Sequence, residues 1–246
     1  MWGIQLVCAY IALLLMMRFF AAAGLYIFIV IMIVAANIEV LKVVQFSLMV
    51  HPIALGTIFF AAAFWAVDVL TEYYGAGVAR KAILIGFMGS LLMLMCMILG
   101  LGFKPLNPAQ IAKFHLSEAP QIQASLLSIF NSTPALLLAS LTSYLISQFT
   151  EVWIFKRIRQ ITGPKWLWFR GNVSTLLAAI LDSIIFNILA WRILTPHPLP
   201  WPVLFYTYML AAYIIRVLAS VVGTPAVYLA RYALTPEAKQ AWRTRT

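Results

Sequence analysis

The hydrophobic positions of this chain fall into long runs, and most charged residues lie between those runs. A helix needs about 20 mostly apolar residues to cross the hydrocarbon core of a bilayer. Seven runs approach or exceed that length, at residues 2–17, 22–45, 52–73, 82–103, 123–150, 173–195 and 202–231. The pattern predicts an all-α fold, a polytopic membrane bundle of seven transmembrane helices.

Two boundaries in this pattern are open to alternatives. Only Arg18 and the small residues at 21–24 separate the first two runs, so six helices plus a peripheral N-terminal segment is the alternative. Pro134 lies inside the fifth run, where the loss of a backbone hydrogen bond predicts a kink or a broken helix. We expect a single transmembrane domain over 1–246, made of an extra N-terminal helix at 1–18, a core at 19–232 and a tail at 233–246.

The composition narrows the class of protein. Hydrophobic residues make up 64% of the chain and charged residues 10%, whereas a soluble domain carries about 25% charged residues. So few charges cannot cover the surface of a soluble globule of this size, which excludes a cytosolic enzyme, a secreted disulfide scaffold and a disordered chain. The net charge of +10 would suggest nucleic-acid binding in a soluble protein, but no soluble stretch here is long enough for such a domain.

The basic residues predict the orientation, because cytoplasmic loops of membrane proteins are rich in Lys and Arg. With the N-terminus outside, twelve Lys and Arg lie on the cytoplasmic side and four on the outer side, and Arg216 lies within the membrane. We therefore predict an N-out, C-in topology. The two sizeable loops are 104–122, predicted outside, and 152–172, predicted inside.

Five of the seven acidic residues lie in or at the ends of apolar runs. They are Glu39, Asp68, Glu72, Glu151 and Asp182. A charged side chain at the bilayer centre costs about 2.5–3.5 kcal/mol, so such residues face a bundle interior or a water-filled cavity. There they form ion pairs, bind a substrate or carry protons.

The spacing of these acids suggests partners. Glu39 and Lys42 are three residues apart and can neutralise each other on one helix face. Asp182 has no basic neighbour in its own run, so Arg216 on the last run is its expected partner. Glu72 and Glu151 are expected near cytoplasmic helix ends, where Arg80 or Arg157 can pair with them. For every acid, a purely structural ion pair is the alternative to a functional role.

The candidate residues for substrate binding or coupling share a polar side chain, or an aromatic one, at membrane depth. They are Asn37, Glu39, Lys42, Gln45, Trp65, Asp68, Thr71, Glu72, Gln148, Glu151, Asn172, Ser174, Thr175, Asp182 and Arg216. The three histidines are not spaced as a metal site, and no phosphate-binding glycine loop or nucleophile elbow occurs. We predict no catalytic residues, no metal and no cofactor.

Four stretches of the chain match a known family in order and spacing. They are FAAAFWAVDVLTEYYGAGVARKAILIGF at 60–87, AANIEVLKVVQ at 35–45, LISQFTEVWIFKRIRQITG at 145–163 and KWLWFRGNVSTLLAAILDSIIF at 165–186. Over residues 25 to 232 the chain resembles the bacterial queuosine precursor transporter family, also called vitamin-uptake-transporter-like. The resemblance implies a multi-pass protein of the bacterial inner membrane. It also implies import of 7-cyano- or 7-aminomethyl-7-deazaguanine for salvage into tRNA queuosine.

The resemblance implies partners and contacts as well. The partners are a small deazapurine and the lipid bilayer, with no direct nucleic-acid contact and an open oligomeric state. Asp68, Glu72, Glu151 or Asp182 would accept the two N–H groups of the base. The side-chain amides of Gln148, Gln45 and Asn172 could bond to the ring carbonyl of the base. The aromatic rings of Trp65, Trp153 or Tyr73 could stack on its face.

Several positions depart from the family pattern. Its usual Arg-Asn-Asn reads Arg170-Gly171-Asn172, a frequent Lys is Arg216, and the usual Asp before Thr-Pro is Gly223. These departures leave open a transporter of another small heterocycle or vitamin, or the substrate-binding subunit of a larger uptake complex. An intramembrane enzyme would need a nucleophile–base pair or a metal set at membrane depth, and the sequence contains no such pattern.

Overall fold

The computed structural model of the chain describes residues 1–44, 53–131, 134–163, 165–195 and 197–244. Within these ranges the chain forms ten α-helices, three π-helical segments and one pair of two-residue strands. The strands, β1 (Val43–Val44) and β2 (Ile53–Ala54), are antiparallel with Val43 opposite Ala54. The predicted helical membrane fold is confirmed.

The first helix, α1 (Trp2–Glu39), is a hairpin, because its backbone turns back at Ala21. Ala21 has φ 51° and ψ −134°, outside the helical region. The Gln5 amide donates a 2.9 Å hydrogen bond to the Glu39 carboxylate, whereas a straight helix would hold these residues about 50 Å apart. Gly24 allows the arms to approach closely, because a Cβ there would lie 2.1 Å from the Met16 carbonyl oxygen. The turn lies in the small-residue run between the first two apolar runs.

The second helix leads almost directly into the third. α2 (Thr57–Val69) continues into a π-helical segment, Leu70–Tyr74, and Gly75 then turns the chain into α3 (Ala76–Leu101). Gly75 has φ 98°, which glycine adopts without a steric penalty. The gap between the apolar runs 52–73 and 82–103 predicts a cytoplasmic loop that contains Arg80 and Lys81, and this is wrong. Both side chains are exposed on the second turn of α3, where water or lipid headgroups can solvate their charges.

The predicted outer loop 104–122 is largely helical. It contains α4 (Pro108–Phe114) and the start of α5 (Ala119–Asn131). The fifth apolar run is broken, since α6 (Pro134–Thr162) begins at the proline. A proline at the first position of a helix lacks only an N–H that would have no helical partner there. The predicted break at Pro134 is confirmed.

The predicted inner loop 152–172 is wrong. α6 continues to Thr162 and α7 (Leu167–Ile188) begins five residues later, so only a short turn joins them. Lys156 and Arg157 are exposed while Val152 and Phe155 are fully buried, which makes this part of α6 amphipathic. A search for apolar runs ends where such cations begin, although the helical backbone continues.

The C-terminal third adds three more helices. α7 continues as a π-helical segment at Leu189–Ile193. α8 (Trp201–Val203) leads through a π-helical segment, Leu204–Leu210, into α9 (Ala211–Ala233). The predicted tail contains α10 (Pro236–Arg243), which packs on the core through the rings of Trp242 and Tyr73, 5.3 Å apart.

The surface is apolar, as a protein embedded in lipid requires. Along α3, Leu84, Met88 and Leu92 are 48%, 58% and 56% exposed. Four helical stretches of the described chain are long and apolar enough to cross a membrane, namely Gly3–Glu39, Ala76–Leu101, Leu167–Ile193 and Trp201–Ala233. The interior is organised around α2, which contacts α1 and α9, and around the α6–α7 pair. Fully buried Ala62, Ala63 and Ala66 allow other helices to approach α2 closely.

Candidate functional site

Buried polar side chains are concentrated on α2, α6 and α7. Asp68, Glu151 and Asp182 are 3%, 0% and 6% exposed. Because hydrocarbon offers no hydrogen bonds, each buried polar group needs a partner within the protein or a ligand. The helices therefore turn their polar faces toward one another and their apolar faces outward.

A hydrogen-bond network connects these three helices. The Thr175 hydroxyl on α7 lies 2.6 Å from Glu151 Oε1 on α6 and 3.3 Å from Asp68 Oδ2 on α2. The Gln148 amide donates to Glu151 Oε2 at 2.9 Å. Asp68 Oδ1 and Gln148 Oε1 are buried acceptors without a partner among the described residues. We call Asp68, Glu151, Thr175 and Gln148 the acidic network.

The Asp182 carboxylate contacts one residue on α6 and one on α9. It pairs with Arg216, as the sequence predicted, and Ser147 Oγ lies 3.4 Å from Asp182 Oδ1. The Arg216 guanidinium also lies 5.8 Å from the centre of the Phe60 ring. This pair neutralises a carboxylate that the sixth apolar run would otherwise carry alone.

Glu72 pairs with Arg170 and not with Arg80 or Arg157, so that prediction is wrong. The Arg170 guanidinium lies 2.7 Å from Glu72 Oε2, and the two side chains are 0% and 2% exposed. Arg170 was predicted in a loop, but it lies on the first turn of α7 and points inward. Arg159 is a second, more distant cation, 3.8 Å from the same carboxylate.

A cleft of about 260 Å³, the space at its open mouth included, lies beside Asp68, between α2, α7 and α9. Its lining includes Trp65, Trp168, Gly171, Asn172, Ser220 and Thr224. The indole N–H of Trp65 is buried and has no partner in the described part of the chain. The cleft therefore presents one unpaired donor, Trp65 Nε1, and one unpaired acceptor, Asp68 Oδ1.

Asn172 on α7 joins the cleft to α9, and Gly223 on α9 packs against the Trp65 indole. The Asn172 amide donates to Thr224 Oγ1 at 2.8 Å and accepts from Ser220 Oγ at 3.0 Å. Gly223 faces the Trp65 indole, since a Cβ there would lie 2.0 Å from Trp65 Nε1. The glycine is thus required by the position of the indole ring.

Other predicted site residues are not part of the cleft. The Thr71 and Ser174 hydroxyls bond to carbonyls of their own helices. Glu39 accepts from Gln5, and no ion pair joins it to Lys42 among the described residues. Trp153 is 53% exposed, and the Tyr73 hydroxyl bonds to the Val227 carbonyl. Gln45 lies outside the described residues, and Asn37 contacts Ser140, away from the cleft.

The sequence reasoning missed a row of residues on α6. Ser140, Ser143 and Ser147 are buried on the same face as Glu151. Their helical spacing was present in the sequence as a signal. Arg170 was also missed, because it was counted among the loop cations.

Comparison with known proteins identifies the family. A sequence model of the family described as "Putative vitamin uptake transporter" matches residues 54–230. This chain belongs to that family. The match begins after α1 and contains the whole acidic network, so the vitamin uptake transporter core is the part that surrounds the cleft.

A curated relative covers nearly the entire chain. It is the "Probable queuosine precursor transporter" of Bacillus subtilis (strain 168), 31% identical over 232 residues, which are 94% of this chain and 93% of the relative. No solved structure matches this vitamin uptake transporter family member. The chain is accordingly a membrane transporter with a small-molecule substrate.

Proposed function

We propose that this protein is a secondary transporter that imports 7-cyano-7-deazaguanine or 7-aminomethyl-7-deazaguanine across the bacterial inner membrane, for salvage into tRNA queuosine. The observation that carries the proposal is the buried oxygen Asp68 Oδ1, which has no partner among the described residues and lies beside an open cleft. The similarity to the Bacillus subtilis protein supports the same class of substrate.

The unpaired groups suit the edges of a deazaguanine. The pairing edge of that base presents adjacent N–H donors, and Asp68 Oδ1 and Gln148 Oε1 are buried acceptors without partners among the described residues. Trp65 Nε1 supplies a donor for a ring or substituent acceptor. Specificity of this kind is strong, because a ligand that lacks the matching groups leaves buried polar atoms unpaired.

The Thr175 hydroxyl supports coupling to protons. A hydroxyl carries one hydrogen, so Thr175 cannot donate to both Asp68 and Glu151, although both lie within 3.3 Å. The second contact is favourable only if one of the two carboxyl groups carries a proton. Arg170, which lies on the same helix as Thr175, is paired with Glu72. In our proposal this proton exchanges with solvent as the base moves inward.

We further propose seven crossings with the N-terminus outside. The arms of the α1 hairpin, about 18 residues each, reach about 27 Å at 1.5 Å per residue, close to the thickness of the hydrocarbon core. Thr57–Tyr74 has a similar length, and α3, α6, α7 and α9 with their π-helical extensions are longer. The Lys and Arg distribution supports the N-out, C-in orientation.

The test uses cells that neither synthesise nor import queuosine precursors. We expect expression of this chain to restore queuosine in tRNA when either base is supplied. The combined variant Asp68→Asn and Asp182→Asn should lower the uptake rate at least about tenfold, the effect of losing charged hydrogen bonds. Glu118→Gln is the matched control, since Glu118 is an exposed acid outside the core. Uptake that persists in the double variant would contradict the role of the carboxylates.

A different heterocycle or vitamin is the second candidate, and Gly223 favours it. Where the family usually has an Asp, this chain places the Trp65 indole against a glycine. The face of α9 against Trp65 therefore has one carboxylate fewer than the usual pattern. No rescue with either base, despite verified membrane insertion, together with uptake of another labelled heterocycle would support this alternative.

A further inference from the structure

α6 buries a row of polar side chains that extends well beyond the acidic network. The row runs from Ser140 through Ser143 and Ser147 to Glu151, and no member is more than 5% exposed. At about 1.5 Å per residue it covers about 16 Å of the helix. Its far end is anchored to α1, because Ser140 Oγ donates to Asn37 Oδ1 at 2.6 Å. A polar face of this length inside the bundle exceeds what a single binding site needs.

A second cavity lies at that far end. It occupies about 350 Å³, the space at its open side included, between α1, α3, α5 and α6. Its walls are mostly apolar and include Val34, Leu94, Phe130 and Leu137, while Asn37 and Ser90 are its polar members. The cavity is separate from the Trp65–Asp68 cleft and shares no lining residue with it.

Both polar members of this cavity have an unused hydrogen-bonding atom. Asn37 Nδ2 and Ser90 Oγ have no partner in the described chain, although the residues are only 8% and 4% exposed. A buried polar group left unpaired destabilises a protein, and alanine at position 90 would avoid that cost. An acyl chain of a lipid offers no acceptor to either atom. A small heterocycle with a carbonyl, ring nitrogen or nitrile does.

We propose that this cavity is a second binding site for the transported base, at the opposite end of the α6 polar row from Asp68 and Glu151. Its ligand is a neutral, planar heterocycle whose acceptor receives hydrogen bonds from Asn37 Nδ2 and Ser90 Oγ. The apolar walls cover the ring faces. The hydroxyl hydrogens of Ser140, Ser143 and Ser147 already bond to Asn37 Oδ1 and to carbonyls of α6. The base then moves along the oxygens of these hydroxyls, which accept its N–H groups in turn. This inference rests on the proposed function and adds the route and a docking point.

The experiment measures initial uptake rates of labelled base over a range of concentrations. Ser90→Ala removes an unpaired hydroxyl, so we expect folding to be unchanged or improved. The KM for uptake should rise about 2- to 10-fold, the effect of one lost hydrogen bond, with an unchanged maximal rate because the acidic network is intact. Asn37→Ala should act in the same direction. Ser125→Ala is the matched control, because Ser125 is an exposed serine on α5.

The outcomes separate this inference from the function on which it rests. Wild-type uptake with the same KM in Ser90→Ala, Asn37→Ala and Ser125→Ala overturns the second site and leaves the proposed function standing. An unchanged KM together with altered lipid co-purification assigns the cavity to lipid, and this also overturns the inference. Absence of wild-type uptake of either base removes the proposed function first and the second site with it.

Discussion

The ion pair between Glu72 and Arg170 provides the sharpest test of the packing. The guanidinium is 2.7 Å from the carboxylate, and both side chains are shielded from solvent and lipid. Removing one partner of a buried pair costs about 3–5 kcal/mol, because the other charge remains buried without compensation. We therefore expect Glu72→Ala to lower the free energy of unfolding by about that amount.

A double variant that removes both charges tests whether the unpaired charge causes this loss. Glu72→Leu with Arg170→Met removes both charges, and apolar replacements of buried ion pairs are often neutral. Arg170 also donates to the carbonyls of Gly163 and Lys165, at 3.0 Å and 2.8 Å. Those two bonds are lost, so recovery should be incomplete by about 2–3 kcal/mol.

The assay is reversible unfolding of the purified protein in mixed micelles as the fraction of denaturing detergent increases. Arg157→Ala is the control, since this exposed cation lies 5.7 Å from the Trp153 ring and away from Glu72. Its expected effect is below about 1 kcal/mol. Equal effects of Arg157→Ala and Glu72→Ala would refute the pairing and restore the partner expected from sequence.

Three further predictions concern transport. Gly223→Ala should disturb the fold and abolish uptake, because its Cβ would lie 2.0 Å from Trp65 Nε1. Adding Trp65→Phe to the same chain should restore membrane expression, measured by gel filtration in detergent. Arg216→Lys should retain uptake, whereas Arg216→Gln should lose at least about tenfold because Asp182 is left without its cation; equal rates would count against the pair. Thr175→Val should make the remaining uptake insensitive to a protonophore, since the hydroxyl joins Asp68 to Glu151; unchanged sensitivity would exclude Thr175 from coupling.

For the α1 hairpin, the sequence predicts the position of the boundary between its arms but not the reversal of the chain there. The small-residue run at 21–24 marked a boundary between two apolar runs. That the chain reverses there depends on the backbone of Ala21 and on the absence of a Cβ at Gly24, which permits contact with Met16. Composition signals where a helix can break, whereas the direction after the break depends on what the second arm packs against.

The inner loop predicted at 152–172 illustrates the opposite case. Hydropathy ended the fifth run before Glu151, because the cations that follow it are polar. In the structure Glu151 lies in the interior of α6, and its carboxylate faces Thr175. Helical hydrogen bonds are made by the backbone, so exposed cations on one face do not stop a helix. Glu151 therefore lies in the middle of the bundle and not at the helix end that the sequence predicted.

Hydropathy is summed over neighbouring residues, so the sequence alone determines the features that depend on it. It assigned the membrane class, the order of apolar helices, the burial of Asp68 and Asp182 and, by elimination, the Asp182–Arg216 pair. The cleft depends on residues far apart in the chain. Asp68 meets Thr175 across 107 positions and Glu72 meets Arg170 across 98. In the linear sequence several cations could pair with each acid equally well. The position of α7 relative to Asp68 and Glu72 selects the partner, because a buried charge is stabilised only by groups within a few ångströms.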